Sequence, residues 1–171
     1  MRKINVQKLT IENFKRYGTF QNLLDVEALA VTSIVSSIDA SFFPDLVSFD
    51  YGNTINPTVS ICLAKKTEKN IVQFLEYHQY TNEGLIPLDG DIIICVGTPP
   101  LYGKMSVDNL EAFLIPKGTL VKLNAYIVHG PQFSVDTDKV HVVCMLAGRT
   151  FKNDMVFELF QNDDDKAVIE L

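Results

Sequence analysis

Residues 74–91, FLEYHQYTNEGLIPLDGD, place acidic and imidazole side chains at short intervals before a glycine. Glu76 and His78 are separated by one residue, and Glu83 and Gly90 follow at wider intervals. Imidazole has a reference pKa near neutrality, so His78 is suited to act as a general base. Nearby carboxylates can orient it, act as an acid or bind a divalent cation with it. The stretch is therefore either a catalytic or metal-binding site, or an ordinary hairpin.

The strand before the turn decides where these side chains point. Alternate residues of a strand face opposite sides, so in NIVQFLEYH (residues 70–78) Glu76 and His78 share a face with Val72 and Phe74. Both faces of this segment are largely apolar, which indicates that both are covered. A buried carboxylate and imidazole must be satisfied by each other, by a metal or by a ligand. The alternative is a strand end at the surface, with both side chains in water.

Short strands dominate the second half of the chain and predict an all-β fold. A short helix is predicted in LTIENFKRYG, with Thr10 as its N-cap, Phe14 within it and Gly18 as its end. Residues 26–54 show no regular hydrophobic period, which indicates strands or irregular segments that cover the core. Later segments are rich in β-branched and aromatic residues: TVSICLA, NIVQFLEYH, DIIICVG, LEAFLIP, TLVKLNAYIV, KVHVVCMLAG and DMVFELF. They predict an antiparallel sandwich or barrel with a short N-terminal helix.

The length of 171 residues and the hydrophobic content of 47% fit one domain. We expect a single domain over residues 1–171. Residues 1–57 should supply N-terminal strands and the short helix, residues 58–160 the barrel core, and residues 161–171 a peripheral acidic tail.

Composition narrows the classes of partner and location. The net charge of -6 and the lack of a Lys/Arg cluster argue against nucleic acid, because neutralising phosphates needs a basic face. No apolar run is long enough for a secretory signal or a membrane span, which predicts a cytoplasmic protein without a membrane partner. Cys62, Cys95 and Cys144 lie singly in apolar runs, which is typical of buried thiols in a reducing compartment.

Several segments resemble a known family. The interval from Glu76 through His78 and Glu83 to Gly90 resembles the first signature of the cupin barrels, with Glu76 where the first histidine usually stands. Four segments are similar to the ureidoglycolate lyase family of cupins: LTIENFKRYG, LEYHQYTNEGLIPL, NLEAFLIPKGTLVKLNAYIVHGPQF and HVVCMLAGRTFKNDMVFEL. The resemblance implies a cupin-type antiparallel β-barrel (jelly roll) that forms a homodimer.

The same resemblance implies an activity, the cleavage of ureidoglycolate to glyoxylate and urea in allantoin catabolism, a branch of purine degradation. The implied catalytic residues are His78, Glu76 and His129, while Glu83 stands where the family typically has glutamine. Such a carbon–nitrogen lyase needs a base for the substrate hydroxyl and an acid for the departing urea nitrogen. His78 suits the base, and Glu76 would orient His78 or serve as the acid.

Further positions are candidates for holding the substrate, a small organic acid. Asn124 stands where the family usually has an additional histidine, and the arginine expected on an earlier strand is absent, with Lys65 nearby. An anionic substrate needs a cation, so Arg149 at the end of a strand is the alternative clamp. Glu83 completes the expected substrate contacts.

Alternatives stay open for cofactor, class and assembly. His78, Glu76 and Glu83 would hold a divalent metal ion acting as a Lewis acid on a substrate oxygen. The missing first histidine also fits a non-catalytic or metal-dependent cupin that binds a small organic acid or sugar. For the homodimer, either AVTSIVSSI (residues 30–38) or the opening strand offers an apolar contact surface.

Overall fold

The computed structural model describes residues 1–30, 42–52 and 56–171. None of the described helices is long and apolar enough to cross a membrane. The strands are β1 (Arg2–Lys8), β2 (Gly18–Asn22), β3 (Pro57–Lys65), β4 (Asn70–Val72), β5 (Phe74–His78), β6 (Glu83–Pro87), β7 (Ile92–Gly97), β8 (Glu111–Ile115), β9 (Thr119–Leu123), β10 (Val128–His129), β11 (Phe133–Ser134), β12 (Lys139–Ala147), β13 (Met155–Leu159) and β14 (Ala167–Glu170). The helices are α1 (Ile11–Phe14), α2 (Val26–Ala30) and α3 (Thr150–Asn153), and short 3₁₀ turns occupy Val107–Asn109 and Asp163–Asp165.

Two layers of strands form the fold. One layer runs β2-β9-β6-β12-β3, and the other contains β13-β5-β10-β7-β8-β1-β14-β4. β11 joins them, because it pairs with β7 and, at one position, with β3. The predicted all-β fold with a short N-terminal helix is confirmed, although the strand order is an open path rather than a closed barrel. The pairing is antiparallel except that β1 runs parallel to β8 and β14, and β11 runs parallel to β3.

The space between the layers is filled by an apolar cluster to which both contribute. Phe113 of β8 and Val142 of β12 are fully buried in it. A second cluster lies on the far side of β7: Ile92 and Ile94 face the interior, whereas Ile93 faces the second cluster. β7 is therefore buried along its whole length, which explains why its sequence reads as a continuous apolar run.

The N-terminal helix forms where the sequence predicts it. Thr10 Oγ1 accepts a hydrogen bond from the Asn13 N–H, and Asn13 Oδ1 accepts one from the Thr10 N–H, which together make a capping box. Phe14 is fully buried. Gly18 does not end the helix but begins β2, where an added Cβ would lie 1.8 Å from the Lys122 carbonyl oxygen. The close pairing of β2 with β9 therefore requires glycine at this position.

Other segments depart from the predictions. Residues 26–30 form α2 rather than a strand or irregular cover. The acidic tail is not peripheral, because β14 pairs with β1 and β4 and buries Ala167 and Ile169. The first half of the opening strand β1 pairs with β14 and its second half pairs with β8. Residues 31–38 of AVTSIVSSI lie outside the described ranges.

The segment NIVQFLEYH divides at Gln73 into β4 and β5. Val72 packs in the second cluster together with Leu75, so the alternation predicted from Val72 does not continue across the division. From β5 onward alternation holds, since Leu75 faces the second cluster while Glu76 and His78 turn toward the interior. The expected face is therefore correct for the two polar residues and wrong for Val72.

Candidate active site

Three buried polar side chains meet inside the fold. They are His78 at the end of β5, Glu83 at the start of β6 and His129 in β10. Glu83 Oε2 lies 2.9 Å from His129 Nε2 and 3.4 Å from His78 Nε2. Glu76 Oε1 lies 3.5 Å from His129 Nε2. The structure thus brings together four of the residues singled out from the sequence.

The strand register explains this convergence. Glu76 in β5 lies opposite His129 in β10, and directly opposed residues project to the same side of a sheet. Glu83 lies opposite Leu123 of β9, in the other layer. The two layers therefore contribute to one site, with Glu76, His78 and His129 from the first and Glu83 from the second.

Both histidine rings are oriented by backbone carbonyls. His78 Nδ1 lies 3.2 Å from the Asp154 carbonyl oxygen, and His129 Nδ1 lies 3.0 Å from that of Ile127. A carbonyl oxygen only accepts, so we assign a proton to each Nδ1, with each Nε2 turned toward Glu83. His78 Nε2, His129 Nε2 and Glu83 Oε2 have no aligned hydrogen bond although all three are buried. The 2.9 Å contact between His129 and Glu83 is therefore an ion pair whose N–H is not aligned with the oxygen.

Burial and charge act in opposite directions on this pair. Burial alone would raise the pKa of Glu83, but the positive charge of His129 lowers it to about 2. Burial alone would lower the pKa of His129, but the negative charge of Glu83 raises it to about 10. At neutral pH the site therefore contains a carboxylate at Glu83 and an imidazolium at His129.

Solvent reaches the site beside Glu76. The Glu76 side chain is 19% exposed, whereas those of Glu83, His129 and His78 are 7% exposed or less. Phe157 of β13 lies opposite Glu76, is 48% exposed and packs against Phe74 at 5.4 Å between ring centroids. The open side of the site therefore combines aromatic residues with polar groups, which is typical of a small-molecule site.

Two expected roles change with this geometry. Glu76 contacts His129 rather than His78, so it is not placed to orient His78. The expected metal ligands His78, Glu76 and Glu83 also change, because the atoms that converge within 4.8 Å of one another belong to His78, Glu83 and His129. Glu76 lies beside this group, at the position closest to solvent.

The expected substrate-binding residues outside this group are scattered. Lys65 lies opposite Lys139, whereas Gly84, next to Glu83, lies opposite Met145. The run from Lys139 to Met145 along β12 spans about 20 Å at ~3.3 Å per residue, so Lys65 is too distant to bind the same small molecule. Its position on β3 places it near the opposite end of the sheet.

Asn124 and Arg149 are exposed at the end of the fold that holds the site. Asn124 follows Leu123, the β9 partner of Glu83. Arg149 has a φ of 64°, and it precedes α3, the helix that leads to Asp154. Neither side chain contacts the four central residues within the part of the chain that the structure describes.

Asp154 is the residue that the sequence reasoning missed. Its carbonyl oxygen holds His78, and its buried carboxylate accepts hydrogen bonds from the residues that follow His78. The polar run KND (residues 152–154) before β13 carries no periodic signal. Only the pairing of β13 with β5 brings Asp154 to this position.

The fold is an all-β arrangement of two strand layers with a buried histidine–carboxylate group between them. The sequence model of the family described as ureidoglycolate lyase matches residues 1–163. The chain therefore belongs to the ureidoglycolate lyase family. No curated protein matches it.

Solved structures with a related fold are distant in sequence. The iron(II) form of HppE is 19% identical, with a TM-score of 0.36, over 52% of this chain and 41% of its own. Hydroxypropylphosphonic acid epoxidase from S. wedmorenis in complex with fosfomycin is 17% identical, with a TM-score of 0.37, over 53% of this chain and 42% of its own. Vicilin from Solanum melongena is 10% identical, with a TM-score of 0.42, over 63% of this chain and 26% of its own. The chain spans less than half the length of each.

Proposed function

We propose that this protein is a lyase that cleaves ureidoglycolate to glyoxylate and urea, a step of allantoin catabolism. The family match over residues 1–163 supports the reaction class. The observation that carries the proposal is the convergence of His78 Nε2, His129 Nε2 and Glu83 Oε2, which are buried and lack aligned hydrogen bonds. These atoms supply a base, an acid and a carboxylate between them, which are the groups that the elimination uses.

His78 acts as the base. Its Nδ1 proton is bound by the Asp154 carbonyl, so the Nε2 lone pair takes the proton of the substrate hydroxyl. The electrons of that O–H bond form the carbonyl of glyoxylate, and the bond from carbon to the urea nitrogen breaks. His129, an imidazolium because its pKa is raised to about 10, donates its Nε2 proton to the departing nitrogen.

Glu83 resets the site after each cleavage. The reaction leaves the extra proton on His78 and a neutral ring at His129, and Glu83 Oε2 contacts both rings at Nε2. A carboxylate between two imidazoles can carry the proton from the first to the second. Glu76, at 3.5 Å from His129 Nε2, adds a second negative charge that favours the imidazolium.

The substrate carboxylate needs a cation outside this group. Two carboxylates face one imidazolium, so the central residues alone do not attract an anion. Arg149 is exposed at the same end of the fold, and its guanidinium can bind a carboxylate through two hydrogen bonds. We assign the substrate carboxylate to Arg149, with Asn124 as a neighbouring polar contact.

The proposal is tested by assaying urea and glyoxylate release from ureidoglycolate. His78→Ala should abolish turnover, because the base is removed. His141→Ala is the matched control, since His141 pairs with Asp89 at an exposed position and should leave turnover unchanged. A wild-type protein that releases neither product, with or without added divalent metal, would refute the activity.

A divalent metal is a second candidate for the same site, because the donor set fits one. Metal-binding histidines usually donate their second ring N–H to a carbonyl or carboxylate, and both histidines here do so. His78, His129 and Glu83 would hold the ion, which would supply Lewis-acid polarisation of a substrate oxygen. The ion would displace the proton of His129, and with a pKa of about 10 this costs on the order of 4 kcal/mol at pH 7.

Competition with this proton gives the metal hypothesis a distinct test. Binding of Co²⁺, followed by its visible absorption, should strengthen steeply from pH 7 to pH 9 and be lost in His129→Ala. His141→Ala again serves as the control. Binding that is absent at both pH values, or unaffected by His129→Ala, would exclude this metal site.

The proposed homodimer is supported by a free edge in the described structure. β3 pairs with β12 along its whole length, whereas on its other edge the only described pairing is that of Lys65 with Phe133. Val59, Ile61 and Leu63 on this strand are 72%, 56% and 44% exposed. Long uncharged edge strands invite pairing with another chain. Two copies of β3 paired antiparallel about Ile61 would set Val59 opposite Leu63 of the second copy.

Light scattering tests this assembly directly. The wild-type protein should be a dimer at micromolar concentration, and Ile61→Lys should be a monomer because it places a charge at the two-fold axis. Ile11→Lys is the matched control, since Ile11 is 76% exposed on α1, away from β3. A wild-type monomer, or a dimer that Ile61→Lys leaves intact, would contradict the assignment.

The cytoplasmic location stays part of the proposal, supported by three unpaired cysteines and testable by cell fractionation.

A further inference from the structure

A four-residue connection joins the strands that carry two of the central side chains. His78 ends β5, Glu83 begins β6, and residues 79–82 connect them. The pairings of β5 with β13 and of β6 with β9 place the two residues, and the connection between them contributes to the 3.4 Å separation of His78 Nε2 from Glu83 Oε2. In the described structure the connection itself has no ladder hydrogen bonds, so side chains must hold it.

Asp154 holds the first half of this connection. Its Oδ1 accepts hydrogen bonds from the Gln79 N–H at 2.7 Å and the Tyr80 N–H at 3.1 Å. Its Oδ2 accepts one from Thr81 Oγ1 at 2.9 Å. The second half is held separately, since the Asn82 N–H donates to the Asp50 carbonyl and Asn82 Oδ1 accepts from the Asp50 N–H.

The Asp154 carboxylate is paired with donors rather than with a cation. Asp154 is 8% exposed, and none of its described contacts is to a lysine or arginine. A buried carboxylate is costly unless several hydrogen bonds satisfy it, and here two N–H groups and one hydroxyl do so. These hydrogen bonds hold the backbone from Gln79 to Thr81 against Asp154.

The same residue also orients the ring of His78. Asp154 precedes Met155, the β13 partner of His78, so its carbonyl oxygen lies beside His78 Nδ1, at 3.2 Å. We infer that Asp154 is a positioning residue that fixes both the tautomer of His78 and its separation from Glu83, which rests on the proposed role of His78 as base. The carboxylate fixes the backbone around His78, and the carbonyl keeps the ring proton on Nδ1.

The chain contains three histidines, so ¹⁵N NMR of the rings can follow each of them. In the wild-type protein, His78 should carry its ring proton on Nδ1. In Asp154→Ala, the backbone carbonyl is present but no longer held in place, so the His78 nitrogen signals should move toward those of mixed tautomers. Asp154→Asn keeps one oxygen acceptor and an amide that can donate to Thr81, so it should restore most of the wild-type signal.

Asp89→Ala is the matched control. Asp89 Oδ2 lies 2.6 Å from His141 Nδ1 at the surface, so this substitution should change the His141 signal and leave His78 unchanged. If Asp154→Ala fails to fold, Thr81→Val carries the test. It removes only the hydrogen bond from the Thr81 hydroxyl to Asp154 Oδ2, and it should still shift the His78 signal while sparing that of His141. A His78 signal that is the same in wild-type, Asp154→Ala and Thr81→Val proteins would overturn the inference, as would a wild-type ring protonated on Nε2 alone.

Kinetics give an independent readout. Asp154→Ala should lower kcat for ureidoglycolate by about 10- to 100-fold, with KM little changed. Loss of the groups that hold a functional histidine in place typically has an effect of this size. Asp154→Asn should recover most of kcat. If wild-type protein shows no turnover but the His78 tautomer shifts as described, the positioning role stands and the lyase proposal falls. If kcat falls while the tautomer is unchanged, the positioning role falls.

Discussion

Replacing Glu83 with glutamine removes the carboxylate that faces both histidines while keeping the size of the side chain. In the wild-type protein the negative charge of Glu83 overcomes the effect of burial and raises the pKa of His129 from an ordinary 6.5 to about 10. In Glu83→Gln, burial still lowers this pKa and only Glu76 still raises it. We therefore expect the pKa of His129 in the variant to lie well below that of the wild-type protein.

The effect on stability follows from proton linkage. Between pH 6.5 and the raised pKa of about 10, the folded protein holds a proton on His129 that the unfolded chain has released, so stability falls as pH rises. From pH 6.5 to pH 9 this amounts to on the order of 3 kcal/mol at ~1.4 kcal/mol per pH unit. Glu83 behaves oppositely: its stabilisation is present above the ordinary pKa of 4.5 and is lost as pH falls toward 2.

Urea unfolding at pH 6.5 and pH 9 measures this difference. The wild-type protein should lose roughly 3 kcal/mol more than Glu83→Gln between the two pH values. Glu12→Gln controls for removal of a surface carboxylate, because Glu12 forms an ion pair with exposed Lys15, and it should retain the wild-type dependence. Equal pH dependence in wild-type protein and Glu83→Gln would show that the buried ion pair does not govern the charge of His129.

Three shorter predictions concern activity and folding. The rate of ureidoglycolate cleavage should fall on the alkaline side as pH approaches 10 and His129 loses its proton; a rate that stays constant through pH 10 would remove the acid role of His129. Arg149→Ala should raise KM with kcat little changed, whereas Lys65→Ala, about 20 Å away along the sheet, should change neither. Gly18→Ala should lower the free energy of unfolding by about 1–3 kcal/mol, measured in urea, because its Cβ would meet the Lys122 carbonyl.

Periodicity was sufficient to predict the local part of the site. Glu76 and His78 face the interior because β5 alternates, and alternation is readable in five residues. The alternation fails at Val72 because the strand is interrupted at Gln73, and no residue type there indicates an interruption. The strands of the second half were likewise predictable, since β-branched and aromatic runs between turn residues need no knowledge of their partners.

Partners across the sheet could not be read from the sequence. His129 came from the family resemblance, because its position beside Glu76 depends on the pairing of β10 with β5. Asp154 was missed for the same reason, since only the register of β13 against β5 places it beside His78. Three aspartates before β14 predict a solvated tail, yet Ala167 and Ile169 supply enough apolar surface for this segment to join the sheet.

The residue type at position 76 bears on the choice between a proton and a metal at His129. A histidine at this position, as in the cupin signature, would add a third neutral nitrogen donor, and neutral nitrogen donors favour a metal ion. Glu76 instead places a carboxylate oxygen 3.5 Å from His129 Nε2, next to the carboxylate of Glu83 at 2.9 Å. Two negative charges stabilise a proton on that nitrogen, so a metal must compete with an imidazolium. The departure from the signature therefore favours acid–base chemistry at neutral pH and leaves metal binding to more alkaline conditions.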